Sequence, residues 1–362
     1  MDFGLSDDQK LLEETVRAYL ADQVPITWIR ELREKGDPND RVLWAGLAQL
    51  GVTGILIPEA YGGSELSLLD ACLVSQALGH AVTPAPFLSS SILVPIALEG
   101  LEDQAVGGWL SGIATGELVV GAAITEGFSI REGAGVSSKN GRLHGKAMMA
   151  LDAVEADLVL VLLDDERFAV IRGDHPGLTT TRLLTTDATR CTAELILEEV
   201  EPEALFEGRK KAIARMFEAG RIALAADAMG ASESMIGQAV SYAMDRKQFD
   251  RVIGSFQAVK HMCAEMIAEL EPTRSLIWYA AHSFDALPEE SPLMACHALA
   301  HMSEIGREIA SVSTQVHGGI GWTDEQNLHF WFKRIGVDRH LLGGPEWLRC
   351  RAAELQGFTE AS

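Results

Sequence analysis

The sequence has few cysteines, and none stands at the spacings that zinc sites and disulfide frameworks use. Neither CxxC nor CxxH occurs in the 362 residues. We therefore expect no zinc site and no disulfide scaffold, and we predict buried thiols. The five cysteines are Cys72, Cys191, Cys263, Cys296 and Cys350.

Positive charge is also scarce, with 30 Lys and Arg against 52 Asp and Glu, for a formal charge of -22. Such a surface repels nucleic acid and anionic membranes, although a small anion can still bind at a local basic spot. No apolar run reaches the roughly 18 residues that a membrane span needs. The N-terminus, MDFGLSDDQKLLEE, lacks the basic and apolar regions of a signal peptide, so we expect a cytoplasmic protein.

Histidine and tryptophan residues give no sign of a site. His297 and His301 are four residues apart on a predicted helix, but no HExxH pattern accompanies them, so no metal site is predicted. Trp322, Trp331 and Trp347 are expected to be core or interface residues.

The first part of the chain predicts an all-helical domain over residues 1–117. Ser6 and Gln9 have the spacing of a capping box at the start of a helix. Further helical runs follow, with Pro84 and Pro86 as breaks. These runs are Leu43–Leu50, Leu66–Leu78 and Ser90–Leu98.

The pattern then changes to short β-rich runs separated by Gly, Asn, Asp and Pro, which predicts a small β-domain over residues 118–208. These runs are Leu118–Thr125, Arg142–Lys146, Asp157–Leu163, Phe168–Ile171 and Ala193–Leu197. From residue 209 to 362 heptad-like helical runs return. Their number predicts an up-and-down four-helix bundle, with Pro272, Pro288 and Pro292 at the breaks. The fold class is therefore α+β and mainly α. The runs of the bundle are Phe217–Met244, Ser255–Glu271, Arg274–Leu287 and Leu293–His317.

Two motifs in this last region can bind an anion. Gln315, Gly318 and Gly319 begin a QxxGGxG turn, where missing side chains let backbone N–H groups approach a phosphate, although a helix C-cap also uses such glycines. Some seventy residues earlier, Arg246 supplies a guanidinium and Phe249 an apolar face in DRKQFDRVIGSFQ, which ends at Gln257. Without further context, cap and packing roles explain these residues as well.

Together the two motifs resemble the C-terminal half of the acyl-CoA dehydrogenase flavoproteins. The turn GILIPEAYGG from Gly54 to Gly63 resembles the same family, and so does the order of helical domain, β-domain and helical bundle. The resemblance implies FAD as cofactor and α,β-dehydrogenation of an acyl-CoA thioester. It also implies that Arg246, Phe249, Gln257 and the QxxGG turn grip the adenosine diphosphate half of an FAD held by the neighbouring subunit.

Other positions depart from the family pattern. The Thr-Glu-Pro motif reads TEGFSI from Thr125 to Ile130, and the Trp-Ile-Thr triplet is replaced by Met148–Leu151. Methionine offers no hydroxyl donor to the flavin, so we predict that the β-domain holds the ring poorly.

The catalytic glutamate is missing as well. The position that the resemblance assigns to it reads Gly343, and an alternative position used by some members, just before Arg221, reads Gly220. Glycine cannot remove the α-proton. Glu218 and Glu346 are weak substitutes, because a shift of two or three residues on a helix changes the direction of the carboxylate.

These features predict the non-catalytic subunit of an α2β2 acyl-CoA dehydrogenase. The resemblance then implies a catalytic partner subunit, a bulky acyl-CoA substrate such as a steroid side chain, and an acceptor like electron-transfer flavoprotein. The alternatives are a homotetrameric dehydrogenase with Glu218 or Glu346 as base, a non-enzymatic acyl-CoA or FAD-binding scaffold, and a flavin monooxygenase or oxidase on the same fold.

Overall fold

The structure is a computed structural model that describes residues 4–35, 40–124, 132–164 and 167–358. It is mainly helical with a central β-sheet, which confirms the predicted fold class. The helices of the described residues are α1 (Asp7–Gln23), α2 (Ile26–Lys35), α3 (Arg41–Gln49), α4 (Leu68–His80), α5 (Val94–Leu98), α6 (Gln104–Ala114), α7 (Lys210–Asp245), α8 (Gln257–Ala286), α9 (Ser291–His317), α10 (His329–Asp338) and α11 (Pro345–Leu355). The strands of the sheet are β1 (Val120–Ala123), β2 (Gly135–Lys139), β3 (Arg142–Leu151), β4 (Leu158–Leu162), β5 (Phe168–Arg172), β6 (Leu178–Arg182), β7 (Thr192–Val200) and β8 (Ala204–Phe206).

The chain forms two compact units, each built from separate stretches of sequence. The first combines Met1–Glu31, Cys72–Thr83 and Arg221–Ser362, and the second combines Leu32–Ala71 and Pro84–Gly220. The three-domain division at residues 117 and 208 stays a prediction.

The start of α1 is the capping box that the sequence predicts. The Ser6 hydroxyl accepts from the Gln9 amide at 3.1 Å, and the Gln9 side chain accepts from the Ser6 amide at 3.0 Å.

The predicted helix at Ser90–Leu98 is wrong in its first half. Residues Phe87–Leu93 form a π-helix, and only Val94–Leu98 are α-helical.

The sheet has the strand order β6-β7-β3-β1-β4-β5-β8, and β2 pairs with β3. Strands β1 and β4 run parallel, whereas the other pairs are antiparallel. All five residues of β4 are buried, which fits the continuous apolar run LVLVL. Strands β2, β6 and β8 were not predicted, because they are short or carry mostly polar, half-exposed residues.

The predicted helix break at Pro272 is wrong. Helix α8 runs through this proline from Gln257 to Ala286 without interruption. A proline inside a helix costs about 3 kcal/mol, but Leu270 and Ile277 on either side of it are fully buried, and this packing keeps the helix continuous. The bundle therefore has three long helices, α7, α8 and α9, and the shorter α10 and α11 pack against α9.

A partly buried carboxylate joins four helices of the first unit. Glu233 in α7 contacts Arg17 of α1 at 2.9 Å, Gln76 of α4 at 2.7 Å and Arg274 of α8 at 2.6 Å. Burial alone would raise the pKa of Glu233, but the charges of Arg274 and Arg17 and the Gln76 amide hold its pKa below the ordinary value. Glu233 therefore acts as an ionised anchor for these helices.

A second ion pair is fully buried. Arg334 of α10 donates to both carboxylate oxygens of Asp227 in α7, at 2.9 and 2.7 Å, and to the Thr83 carbonyl at 3.2 Å. The exposed fractions of the two charged side chains are 2% and 6%. The bidentate geometry compensates both charges in a setting that excludes water.

Two predictions about buried side chains need correction. Cys72, Cys191 and Cys296 are buried free thiols, but Cys263 is half-buried and Cys350 is exposed. Trp331 is buried, whereas Trp322 is 77% exposed, so of the two expected roles, core or interface, the core role does not hold for Trp322. Within the described ranges, no helix is long and apolar enough to cross a bilayer.

Candidate functional site

Arg246 lies at the start of a short segment that follows α7, which we call the Arg246 arm (residues 246–257). Its side chain is exposed and makes no ion pair with the described part of the chain. Its backbone is fixed, because its N–H donates to the Tyr242 carbonyl at 2.9 Å and its carbonyl accepts from the Ile253 amide at 2.8 Å. The arm thus presents a positioned guanidinium to the outside of the chain.

Phe249 is at the tip of the arm. Residues 247–248 and 251–252 form a two-stranded hairpin, and Phe249 and Asp250 between them have φ of 53° and 62°. Positive φ at both central residues is the geometry of a type I′ turn, which is unusual for a bulky residue. The Phe249 side chain is 87% exposed, so an apolar ring is held in solvent three residues along the chain from Arg246.

The base of the arm is packed more tightly. The Arg251 guanidinium lies 3.9 Å above the centre of the Phe256 ring, and the Phe249 and Phe256 rings are nearly perpendicular with their centres 6.2 Å apart. A β-carbon built on Gly254 would lie 2.9 Å from the Ala243 carbonyl, so glycine allows the arm to approach the end of α7. Gln257 is exposed and is the first residue of α8.

The predicted glycine turn lies at the end of α9. Gly318 has φ of 66°, and its N–H donates to the Gln315 and Thr314 carbonyls. Gln315, Gly318 and Gly319 are exposed. No described atom lies within 4 Å of a β-carbon built on Gly318 or Gly319. The backbone at the glycine turn is therefore open to close approach from outside.

The structure brings the glycine turn next to the Arg246 arm through two residues that the sequence analysis missed. The Tyr242 and His317 rings stack at 4.7 Å with an angle of 26° between their planes. Tyr242 lies one turn before Arg246, and His317 directly precedes Gly318. The sequence shows how close Tyr242 is to Arg246 and His317 to Gly318, but it does not show that the two rings touch.

Gly343, the expected position of the catalytic base, is buried between α10 and α11. Its φ is 108°, a conformation that side chains strongly disfavour, and a β-carbon would lie 2.9 Å from Cε3 of Trp347. Next to it, Arg221 of α7 donates through Nε to the Leu342 carbonyl at 2.9 Å. The Arg221 guanidinium lies 4.8 Å from the centre of the Trp347 ring. Backbone and neighbours at this position both suit glycine.

The other candidates for the base lie in different surroundings. Gly220 is buried in α7, and Glu218, two residues before it, is 7% exposed. The Glu346 side chain in the first turn of α11 is 72% exposed and contacts Arg339 at 3.6 Å and Arg349 at 3.7 Å. Glu346 is therefore a surface carboxylate between two arginines, whereas Glu218 is buried.

Two segments depart from the family pattern on the flavin side. The first, Thr125 to Ile130, lies outside the described residues. The Met148–Leu151 segment forms the end of β3, where the pairing with β7 is irregular between Ala147 and Ala150. Met149 has φ of 57°, which is consistent with a β-bulge.

Within the described residues there is no group of three or more His, Cys, Asp and Glu side chains that could hold a metal ion.

Comparisons with known proteins identify the family. The family model "Acyl-CoA dehydrogenase, N-terminal domain" matches residues 6–117, and "Acyl-CoA dehydrogenase, C-terminal domain" matches residues 207–354. The chain is 30% identical over 340 residues to the acyl-CoA dehydrogenase IpdE2 of Mycobacterium tuberculosis, and the match covers 94% of each protein.

Two further relatives carry more specific names. The chain is 25% identical to the caffeyl-CoA reductase-Etf complex subunit CarC of Acetobacterium woodii, with 92% of this chain and 93% of CarC covered. A solved structure of the Tcur3481-Tcur3483 steroid ACAD is 26% identical, with a TM-score of 0.86 and coverage of 98% of this chain and 99% of the other.

Proposed function

The chain belongs to the acyl-CoA dehydrogenase family, and from this we propose that it is the non-catalytic subunit of an α2β2 acyl-CoA dehydrogenase. FAD is the cofactor of this family. In the proposed complex, a partner subunit holds the flavin ring and supplies the catalytic base. This chain contributes the Arg246 arm and the glycine turn, which hold the adenosine diphosphate half of that FAD.

The environment of Gly343 carries the proposal. Dehydrogenation of a thioester requires a carboxylate to take the α-proton, and no side chain fits at Gly343 without strain at φ of 108° and a clash with Trp347. The position is therefore built for glycine, and a single reversion to glutamate would not restore a base there.

The residues of the clamp fit a diphosphate. Arg246 provides a charged donor that can pair with a phosphate, and the absence of side chains at Gly318 and Gly319 lets a phosphate come close to the end of α9. The exposed ring of Phe249 offers a flat apolar face for the adenosine part. Gln257 and Gln315 add exposed side-chain amides. FAD itself would accept the hydride that leaves the β-carbon of the substrate.

Substrate and electron acceptor follow from the relatives. Similarity to the Tcur3481-Tcur3483 steroid ACAD supports a bulky acyl-CoA, such as one with a steroid side chain. Similarity to a subunit of a caffeyl-CoA reductase-Etf complex supports an acceptor like electron-transfer flavoprotein. A pair of subunits with one active site leaves room for a large acyl group.

The second candidate is an ordinary homotetrameric acyl-CoA dehydrogenase in which Glu218 is the base. Its support is the position of Glu218, which is buried at 7% exposure in α7 two residues before Gly220. Glu346 supports this candidate less, because it is exposed and lies between two arginines.

The FAD content of the isolated chain separates the two candidates. Expressed alone, the chain should carry little FAD and show no acyl-CoA dehydrogenation, because it lacks a base and the usual flavin-side residues. Purified from its native host through a tag on this chain, it should bring a second acyl-CoA dehydrogenase subunit and a single FAD for each pair. A yellow, active preparation of the isolated chain would contradict the heteromer and support the homotetramer.

A further inference from the structure

The stacked rings of Tyr242 and His317 connect the two halves of the clamp. Arg246 continues the last turn of α7, because its backbone amide donates to the backbone carbonyl of Tyr242 at 2.9 Å. His317 is the last residue of α9, and the next residue, Gly318, begins the exposed glycine turn. The contact between the rings, at 4.7 Å, is thus one helical turn from Arg246 and one residue from Gly318.

The His317 ring is held in one orientation. It is 3% exposed, and its Nδ1 lies 2.7 Å from the Ser313 carbonyl, so Nδ1–H donates to that oxygen. Burial lowers the pKa of His317 below its ordinary value, although the hydrogen bond to Ser313 opposes this by raising the pKa. The ring is therefore neutral at pH 7, and Nε2, which has no hydrogen-bond partner among the described residues, is an acceptor.

The surroundings of the two rings explain how their contact can fix the Arg246 arm relative to the end of α9. Burial and the Ser313 bond fix His317 on α9, whereas the half-buried Tyr242 is on the last turn of α7. The Arg246 arm beyond Tyr242 is exposed and has an unusual turn at Phe249. An exposed hairpin keeps a defined distance from a neighbouring element only if a contact near its base fixes it.

We propose that Tyr242 and His317 are positioning residues that set the spacing between Arg246 and the Gly318–Gly319 backbone, so that both reach the same diphosphate. The inference rests on the proposed clamp function. A purely structural role for the stack would affect stability alone, whereas a positioning role acts on FAD affinity through Arg246.

The test measures the FAD dissociation constant and the Tm of the FAD-containing assembly, purified from the native host through a tag on this chain. The variants are Tyr242→Leu, Tyr242→Phe, Arg246→Ala and the double variant Tyr242→Leu with Arg246→Ala. Loss of an aromatic pair should weaken FAD binding about 2- to 10-fold in Tyr242→Leu. Tyr242→Phe keeps the ring and should bind FAD like the wild type.

The double variant decides between the two roles. If Tyr242 acts through Arg246, adding Tyr242→Leu to Arg246→Ala should weaken FAD binding by less than about 2-fold more, because coupled residues are not additive. Fully additive losses, or a lower Tm with unchanged FAD affinity in Tyr242→Leu, would overturn the positioning role. If Tyr242→Leu does not assemble, Tyr242→Met, a flexible side chain that can fill the gap, is judged by the same criteria.

The same series separates this inference from the proposed function. Normal FAD affinity in Arg246→Ala would remove the clamp, and the positioning role with it. Weak FAD binding in Arg246→Ala together with normal binding in Tyr242→Leu would remove only the positioning role.

Discussion

Arg246→Ala should weaken FAD binding in the assembled enzyme by about 10- to 150-fold, the loss expected for a charge-assisted hydrogen bond of roughly 1.5–3 kcal/mol. The Arg246 side chain is exposed while its backbone is tied to Tyr242 and Ile253. The substitution therefore removes a charge from the clamp without disturbing a buried contact of this chain. Equilibrium FAD titration of the apo assembly measures the change.

Lys247→Ala is the matched control, because Lys247 is the next residue on the same exposed arm. It should change FAD affinity by less than about 3-fold if the effect is a specific contact rather than general charge.

Gly319→Val is the companion variant. Its β-carbon meets no described atom of this chain, so the fold should tolerate it, whereas FAD binding should fall at least as much as in Arg246→Ala. Normal FAD affinity in both Arg246→Ala and Gly319→Val would show that the arm and the turn are ordinary cap and loop residues.

Asp227→Asn should lower the free energy of unfolding by about 3–5 kcal/mol, because it removes the carboxylate charge that pairs with the buried Arg334 guanidinium. The pair is bidentate at 2.9 and 2.7 Å, and the exposed fraction of Arg334 is 2%. It also connects α7 and α10 to the Thr83 carbonyl. Urea unfolding, followed by circular dichroism, measures the loss.

A surface pair supplies the control for this prediction. Arg351 and Glu354 of α11 are 2.9 Å apart and are 44% and 25% exposed, so Glu354→Gln should cost less than about 1 kcal/mol. Equal losses in the two variants would mean that burial does not set the value of the Asp227–Arg334 pair.

Local signals in the sequence predicted much of the fold, and long-range packing explains the errors. The capping box at Ser6 and the apolar runs of β4 and β5 depend on neighbouring residues, and they appear as expected. Pro272 is a local signal for a break, but buried contacts on both sides of it preserve the helix. Strands such as β6, whose run LTTTR has a single apolar residue, carry no strong pattern of their own.

The contrast between local signals and long-range packing also holds for the candidate site. Arg246, Gln315 and Gly319 are recognisable from their motifs, and the structure shows two motifs, far apart in the chain, joined by the Tyr242–His317 stack. That contact depends on how α7 and α9 are placed, which no short pattern encodes. The absence of a glutamate at Gly343 is visible in the sequence, but the positive φ and the proximity of Trp347 are not.

Turnover of the assembled enzyme after removal of the carboxylates Glu218 and Glu346 is the most direct test of where the base lies. Changing both to glutamine keeps their size and hydrogen bonding but removes the proton acceptors, and FAD content and assembly are checked in each variant. Our account predicts turnover within a few-fold of the wild type, because the partner subunit supplies the base. A loss of about 10²–10⁴-fold, the usual effect of removing a general base, in either single variant with FAD intact would contradict it and place the catalytic base in this chain.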